Sequence, residues 1–209
     1  NDLLKSLMSS NILYSYRRCP YAMRARMALA YAGIAFEIRE ISLRNKPLAM
    51  LEISPKGTVP VLQVGELVIE QSLEIMKWAL SQSDKNGWLN NLAASEALIA
   101  TNDGPFKRLL DQYKYPDRFP HIKIEDTLNQ ALNICLLPLE KRLRDTRYLL
   151  GPQKSLADVA IFPFIRQFSI VDLPKFNALP LPKTKQWLNQ FLESELFKSV
   201  MNKYPVWVD

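Results

Sequence analysis

The sequence has 209 residues, of which 48% are hydrophobic and 23% are charged, and it carries a net charge of +6 with a pI of about 9.3. This composition is typical of a globular protein with one large domain or two small ones, which buries a core without disulfides or metals. The charge is evenly spread, with 10 basic and 7 acidic residues in 1–80 and 17 and 14 in 81–209. The sequence has no basic block, so we predict no nucleic-acid partner. It also has no apolar run of about 20 residues, so we predict no membrane span.

The two cysteines, Cys19 and Cys135, are too few and too widely spaced for a disulfide framework or a zinc site, so no metal is predicted. This cysteine usage favours a reducing compartment, the cytoplasm. The start of the sequence, Asn1–Lys5, has no basic segment followed by an apolar one, so we expect no signal peptide. Cys135 lies within an apolar stretch and is predicted to be an inert core thiol.

The first 80 residues predict the element order β-α-β-α-β-β-α. Proline is favoured at the first helical position, so Pro20 predicts a helix start with Cys19 as N-cap, and Gly33 predicts its end. Residues 34–39 alternate between apolar and other side chains, the period of a strand, which completes a parallel crossover unit. The other predicted strands cover 11–16, 59–64 and 66–69, and the other predicted helices cover 45–53 and 71–80.

Residues 81–91 are polar and are predicted to link two domains. Only helical patterns follow, so 92–209 is predicted to be an all-helical domain. Gly104-Pro105 should break or kink its first helix. The predicted helical stretches of this domain cover 92–114, 122–146, 155–170 and 183–201.

Cys19 is the strongest candidate for chemistry. A thiol at a helix N-terminus faces unpaired N–H groups and the positive end of the helix dipole, which favour the reactive thiolate. The nearby Arg17, Arg18 and Arg24 should add to this effect. Alternatively Cys19 merely caps the helix, but Ser, Thr, Asp and Asn do that better. Ala22 stands where a C-x-x-C pair has its second thiol, so an external thiol must resolve any mixed disulfide on Cys19.

Two further motifs are interpreted as structural. Ser155 and Asp158 form the pattern of a capping box before an apolar run, in which Ser155 caps the helix and Asp158 reaches back. Pro60 follows Val59 at a strand start, and the pattern alone favours a trans bond there. The single histidine, His121, is interpreted as a surface or capping residue, which leaves no catalytic histidine.

Taken together, these features resemble the cytosolic glutathione transferase superfamily, over the whole chain. The start Cys19-Pro20-Tyr21-Ala22 is similar to the C-P-[FYW]-A start of its cysteine type, the omega-class and glutaredoxin-like bacterial members. The resemblance implies an α/β plus all-α fold, with a thioredoxin-like domain over 1–80 and a helical domain over 92–209. It also implies a glutathione cosubstrate and a homodimer.

The resemblance also implies roles for individual residues. Cys19 would be the nucleophile beside the glutathione sulfur, and the bond before Pro60 would be cis. Gln71 replaces the Glu common in omega-like members, which removes a charge opposite the γ-glutamyl amine. Ser155 and Asp158 match the helix cap of the second domain. The positions implied to hold glutathione are Lys46, Val59, Pro60, Gln71 and Ser72.

The implied chemistry is glutathione-dependent thiol–disulfide exchange with a small disulfide or electrophilic substrate. In this family the second substrate would bind between the domains. The residues that could contact it, or could equally be surface and packing residues, are Arg108, Tyr113 and Tyr115.

Two other functions stay open at this point. One is a regulatory or interaction protein of this fold without catalysis. The other is a conjugating or isomerising transferase that activates glutathione with a Tyr or a Ser. Candidates for that role are Tyr14, Ser15 and Tyr16, although packing at a strand end is the favoured interpretation for them while Cys19 is available.

Overall fold

The computed structural model describes residues 11–209, and the chain divides into two units. The N-terminal unit comprises the chain up to Lys85 together with Glu195–Asp209, and the second unit comprises Asn86–Ser194. Within the described range, no helix combines the length and the apolar character needed to cross a membrane.

A four-stranded mixed sheet forms the centre of the N-terminal unit, in the order β2-β1-β3-β4. β1 runs parallel to β2 and antiparallel to β3, and β3 runs antiparallel to β4. Leu13 lies opposite both Ile38 and Leu62, which sets the register of β2, β1 and β3. The strands are β1 Ile12–Ser15, β2 Glu37–Glu40, β3 Val61–Val64 and β4 Leu67–Ile69.

Three helices accompany this sheet: α1 Pro20–Tyr31, α2 Leu48–Ile53 and α3 Ser72–Gln82. α1 packs against α3 and connects the parallel strands β1 and β2. The predicted order β-α-β-α-β-β-α is therefore confirmed, and this is a thioredoxin-like arrangement. Residues 34–36 differ from the prediction, because the ladder with β1 starts at the Ile12–Glu37 pair and these residues lie before it.

The Val59–Pro60 peptide bond is cis. The expectation of a trans bond from the local pattern is wrong, since a proline before a strand carries no information about its isomer. The cis bond implied by the family resemblance is the one observed. Pro60 is buried directly before β3.

The second unit is built of helices around α8, which is buried on almost all sides and packs against α4, α5, α9 and α10. A helix with so wide an apolar surface is typical of the centre of a helical domain. The prediction of helices without strands is met, although α9 was not predicted. The helices are α4 Leu92–Thr101, α5 Lys107–Lys114, α6 Ile124–Ala131, α7 Leu137–Asp145, α8 Leu156–Val171, α9 Leu173–Ala178 and α10 Pro182–Glu193.

Two π-helical turns interrupt the helices of this unit, Asn102–Phe106 and Leu132–Leu136. The first contains Gly104-Pro105, where the sequence predicts a break or a kink. Because proline has no N–H and its ring crowds the preceding turn, a widened turn accommodates it while the helical stretch continues to Lys114.

The segment Glu195–Asp209 belongs to the N-terminal unit, so the predicted helical domain of 92–209 extends too far. Its short helix α11, Glu195–Ser199, packs against α1. Further along, Trp207 N–H donates to Glu40 O of the edge strand β2 at 2.8 Å. The segment therefore supplies a partner to an edge whose backbone groups otherwise face solvent.

The Asp158 carboxylate is a buried hydrogen-bond centre of the second unit. It forms the predicted capping box with Ser155, whose N–H and hydroxyl donate to Oδ2 at 2.9 and 2.7 Å. Leu149 N–H and Trp187 Nε1–H both donate to Oδ1 at 2.9 Å. Burial raises the pKa of Asp158, and these hydrogen bonds oppose the rise. The carboxylate thus joins the α8 N-terminus to α10 and to the turn before α8.

We expect Asp158→Ala to lower the free energy of unfolding by about 3 kcal/mol, because two buried donors, at Leu149 and Trp187, lose their acceptor. Ser155→Ala should cost about 1 kcal/mol, since it removes only the hydroxyl of the cap. Urea unfolding followed by far-UV circular dichroism measures both values.

Asp126→Ala is the matched control, since Asp126 is an acidic residue in the first turn of α6 but is exposed. Below the melting temperature, the reactivity of the Cys19 thiol should be unchanged in all three variants. A variant that melts like the wild type and yet loses Cys19 reactivity contradicts the structural role.

Candidate active site

Cys19 occupies the N-cap of α1, directly before Pro20 at the first helical position. Its carbonyl accepts from Met23 N–H at 2.9 Å, and its own N–H donates to Tyr16 O at 3.0 Å, which closes a tight turn between β1 and α1. The side chain is half-buried. The thiol is therefore accessible and lies at the positive end of a twelve-residue helix.

The structure brings Cys19 next to Val59, 40 positions away in the sequence. Cys19 Sγ lies 4.0 Å from the carbonyl oxygen of Val59, whose bond to Pro60 is cis. The thiol thus faces a backbone segment at the start of β3. An extended peptide placed along this segment would have its own side chains near the thiol.

Ser72 and Gln71 lie where the sequence predicts them, at the N-terminus of α3. Gln71 is the N-cap and is exposed, whereas Ser72 is the first helical residue and is buried. The Ser72 hydroxyl accepts from Arg24 Nε–H at 3.0 Å. Free N–H groups at a helix start favour an anion, and the buried guanidinium adds a positive charge behind them.

Lys46 is an exposed residue just before α2, and its ammonium lies against Gly57. A Cβ added at Gly57 would be 3.3 Å from Lys46 Nζ, and Gly57 has a φ of +64, so both space and backbone favour glycine there. Gly57 is two residues before Val59. The lysine comes from the loop before α2, and its ammonium reaches the loop after α2 that leads to the segment facing Cys19.

The tyrosine and serine residues before Cys19 are used for packing. Tyr14 is buried and its hydroxyl accepts from Arg39 at 2.8 Å. Ser15 is buried and its hydroxyl accepts from Arg26 Nη1 at 2.7 Å. Only Tyr16 of the three has a partly exposed side chain. This supports the interpretation of Tyr14 and Ser15 as strand-end packing.

The three candidates for a second-substrate site lie in the second unit. Tyr113 is buried, its ring centroid is 5.0 Å from that of Phe168, and burial raises the pKa of its hydroxyl. Tyr113 is therefore a core residue. Arg108 is exposed, and the partly exposed ring of Tyr115 stacks with Arg118 at 4.1 Å.

Sequence reasoning missed the buried charges around the Cys19 turn, Arg26 and Glu40. Arg26 is 1% exposed and donates to the carbonyl of Arg17, and Glu40 accepts from the Arg17 N–H. The available signal was a second arginine in a helix whose neighbours are mostly apolar, as in Met23-Arg24-Ala25-Arg26-Met27. An arginine in such a run is either a surface residue or a buried one with several acceptors.

The second cysteine has a different environment. Cys135 is buried in the π turn before α7, and desolvation raises its pKa to about 12. Across residues 11–209, no three His, Cys, Asp or Glu side chains are grouped in a way that could hold a metal ion.

Family comparisons match both halves of the chain. Residues 13–87 match the family model of the glutathione S-transferase N-terminal domain, and residues 128–190 match the family model of the glutathione S-transferase C-terminal domain. The glutathione S-transferase omega-1 of Mus musculus is 28% identical over 191 residues, covering 84% of this chain and 74% of the mouse protein. The maleylacetoacetate isomerase of Rattus norvegicus is 27% identical over 205 residues and 90% of each chain.

Solved structures share the fold. The glutathione transferase Omega 3C from Trametes versicolor superposes with a TM-score of 0.77 at 17% identity, covering 98% of this chain and 95% of that one. A glutathione transferase family member from Pseudomonas fluorescens, determined with two glutathione bound, gives a TM-score of 0.75 at 18% identity and 93% of each chain.

We expect iodoacetamide near pH 7.5 to modify one thiol of the folded protein, Cys19. Cys135 should stay unmodified because it is buried and its pKa is about 12. Intact-mass spectrometry should show a single adduct, which Cys19→Ser removes and Cys135→Ser leaves in place. In urea, where burial is lost, the wild type should take up two groups. Labelling of Cys135 in the folded protein would contradict this assignment of the two thiols.

Proposed function

The chain belongs to the cytosolic glutathione transferase superfamily, and from that premise we propose that it is a cysteine-type, glutathione-dependent thiol transferase working through Cys19. The observation that carries the proposal is the position of Cys19 Sγ. It lies at the N-terminus of α1 and 4.0 Å from the Val59 carbonyl before the cis-Pro60. A nucleophile there meets a peptide-like ligand that pairs with the Val59 backbone.

The proposed reaction is two successive thiol–disulfide exchanges. The Cys19 thiolate attacks the glutathione sulfur of a mixed disulfide, the Cys19–glutathione disulfide forms, and the substrate leaves as its thiolate and takes up a proton. A second glutathione, as thiolate, then attacks the glutathione sulfur of that disulfide and releases oxidised glutathione and the Cys19 thiolate. Ala22 provides no internal thiol, so the second glutathione is required.

Glutathione is held by groups whose surroundings suit its charges. Ser72 Oγ accepts from Arg24, so its own proton is oriented to donate to the γ-glutamyl carboxylate at the α3 N-terminus. Gln71 offers an amide there, without the charge that a Glu would place opposite the γ-glutamyl amine. Lys46, with its ammonium beside Gly57, attracts the glycyl carboxylate.

The second substrate is proposed to be a small disulfide or an electrophile. Arg108 and Tyr115 are its candidate contacts, because both have exposed or partly exposed side chains. Tyr113 acts by packing in the helical core. A cytoplasmic location suits this reaction, since thiols are kept reduced there.

A glutathione-dependent isomerase or conjugating enzyme is the second candidate function. The similarity to the maleylacetoacetate isomerase of Rattus norvegicus over 90% of both chains favours it. Activation of glutathione by Tyr14 or Ser15 has little support, since both are buried and hydrogen-bonded to arginines. A non-catalytic interaction protein is less favoured, because it has no need of an accessible thiol at a helix N-terminus.

Oxidised glutathione should add one glutathionyl group to the protein, and Cys19→Ser should abolish the adduct while Cys135→Ser retains it. Glutathione-dependent reduction of a small mixed disulfide should fall at least a hundredfold in Cys19→Ser, because the other cysteine, Cys135, is buried and cannot replace the thiolate. Intact mass and a coupled assay of oxidised glutathione measure the two effects.

An adduct on Cys135, or full thiol-transferase activity in Cys19→Ser, would refute the proposal. If Cys19→Ser instead isomerises or conjugates an electrophile with glutathione as fast as the wild type, the second candidate function replaces it.

We also propose that the protein is a homodimer, since closed two-fold pairs are the commonest oligomers and the family resemblance implies one. Light scattering at micromolar concentration should give twice the chain mass of 24.1 kDa. A mass of one chain at that concentration would refute the dimer and would leave the chemistry of Cys19 untouched.

A further inference from the structure

The guanidinium of Arg26 is buried beneath the turn that carries Cys19. Arg26 is 1% exposed and projects from α1 toward two segments, the turn after β1 and the chain after α11. Its bonds to the first segment reach Ser15 Oγ at 2.7 Å, Tyr16 O at 3.4 Å and Arg17 O at 2.7 Å. Its contacts with the second reach Val200 O at 2.9 Å and Met201 Sδ at 3.5 Å.

These bonds hold two of the peptide groups before Cys19, the Tyr16–Arg17 and Arg17–Arg18 peptides. The Tyr16 carbonyl accepts from Arg26 and from the Cys19 N–H, while the other side of that peptide, the Arg17 N–H, donates to Glu40 Oε1 at 2.8 Å. The next carbonyl, that of Arg17, accepts from Arg26 at 2.7 Å. The turn thus has one buried cation and one buried anion on its backbone.

Arg26 keeps its positive charge at neutral pH. Burial lowers the pKa of its guanidinium to about 10, and the negative charges of Glu40 and of the Cys19 thiolate oppose that change. A buried charge is costly unless it is paired or fully hydrogen-bonded. Three of the acceptors of Arg26 are backbone carbonyls, and a methionine could fill the same space but could not donate to them.

We propose that Arg26 is a positioning residue for Cys19, which clamps the turn before the thiol and supplies a buried positive charge to it. The Glu40 carboxylate completes the clamp from β2 with the opposite charge. The expected effect of Arg26 on turnover with glutathione rests on the proposed function, whereas its effect on the reactivity of the Cys19 thiol is measured without glutathione.

The two charges have separable effects on the thiol. Removing Arg26 removes a cation and should disfavour the thiolate, whereas Glu40→Gln keeps an oxygen acceptor for the Arg17 N–H and removes an anion, which should favour the thiolate. A turn that is merely loosened would respond in the same direction to both changes. Arg17 and Tyr204 are the further groups whose charges act on the Arg26 guanidinium. The remaining charged or titratable side chains of the turn and of the elements around it are Tyr14 on β1, Tyr16 and Arg18 on the turn, Tyr21, Arg24 and Tyr31 on α1, Glu37 and Arg39 on β2, Glu74 and Lys77 on α3, Glu195 and Lys198 on α11, and Lys203 after it.

The experiment is the pH dependence of Cys19 carbamidomethylation in a Cys135→Ser background. In Arg26→Met the midpoint should rise by about one pH unit, and in Glu40→Gln it should fall by about half a unit. Arg26→Lys keeps the positive charge, so the midpoint of this variant should stay near that of the wild type. It loses the planar fork of donors, so kcat for reduction of the mixed disulfide should fall about tenfold while KM for glutathione stays unchanged.

Arg39→Met is the matched control. It makes the same exchange of side chain in the same unit, but the Arg39 guanidinium faces the Trp207 ring at 4.1 Å and not the turn. Its midpoint should equal that of the wild type.

An unchanged midpoint in Arg26→Met, or shifts of the same sign in Arg26→Met and Glu40→Gln, would overturn the proposal. If Arg26→Met does not fold, the midpoint of Glu40→Gln and the kcat of Arg26→Lys decide. Opposite midpoint shifts in a protein that forms no glutathione adduct would uphold the positioning role of Arg26 and refute the proposed thiol-transferase function.

Discussion

A guanidinium that is removed from water requires acceptors for its N–H groups, and the Arg26 side chain is such a buried guanidinium. Backbone carbonyls from two distant segments meet it, one before the α1 N-terminus and one after α11. Because carbonyls are held by the backbone, satisfying one side chain fixes the path of both segments. The Arg26 guanidinium therefore ties the turn that carries Cys19 to the segment after α11.

The candidate site is assembled from the ends of secondary-structure elements in the N-terminal unit. The N-termini of α1 and α3 supply Cys19 and Ser72, and the entry to β3 supplies Val59. Helix starts offer unpaired N–H groups, and the segment before β3 places the Val59 carbonyl 4.0 Å from the Cys19 thiol. An anionic, peptide-like ligand is suited to such surroundings, and glutathione is one.

The elements that were predictable from the sequence depend on neighbours within a few residues. Pro20 after Cys19 marks the start of α1, and the pair Ser155 and Asp158 marks the start of α8. The same reasoning does not reach partners that are distant in the sequence. Arg26 and Val200 are separated by 174 positions.

Long-range contacts also explain the remaining differences. The start of β2 is set by its pairing with β1, and neither this start nor the isomer of the Val59–Pro60 bond follows from the local pattern. Asp158 was recognised as a cap, but its bond to Trp187 was not, because that residue is 29 positions away. The approach of Val59 to Cys19, across 40 positions, was implied only by the family resemblance, and the buried charges beneath the candidate site were not predicted at all.

The return of Glu195–Asp209 to the first unit has a consequence for synthesis of the chain. A ribosome delivers Arg26 and β2 before the helical unit, and Val200 and Trp207 after it. Until then the guanidinium lacks one of its carbonyl acceptors, and the edge of β2 is open to other strands. The thioredoxin-like unit is consequently completed only after the helical unit has been synthesised, when Glu195–Asp209 becomes available to it.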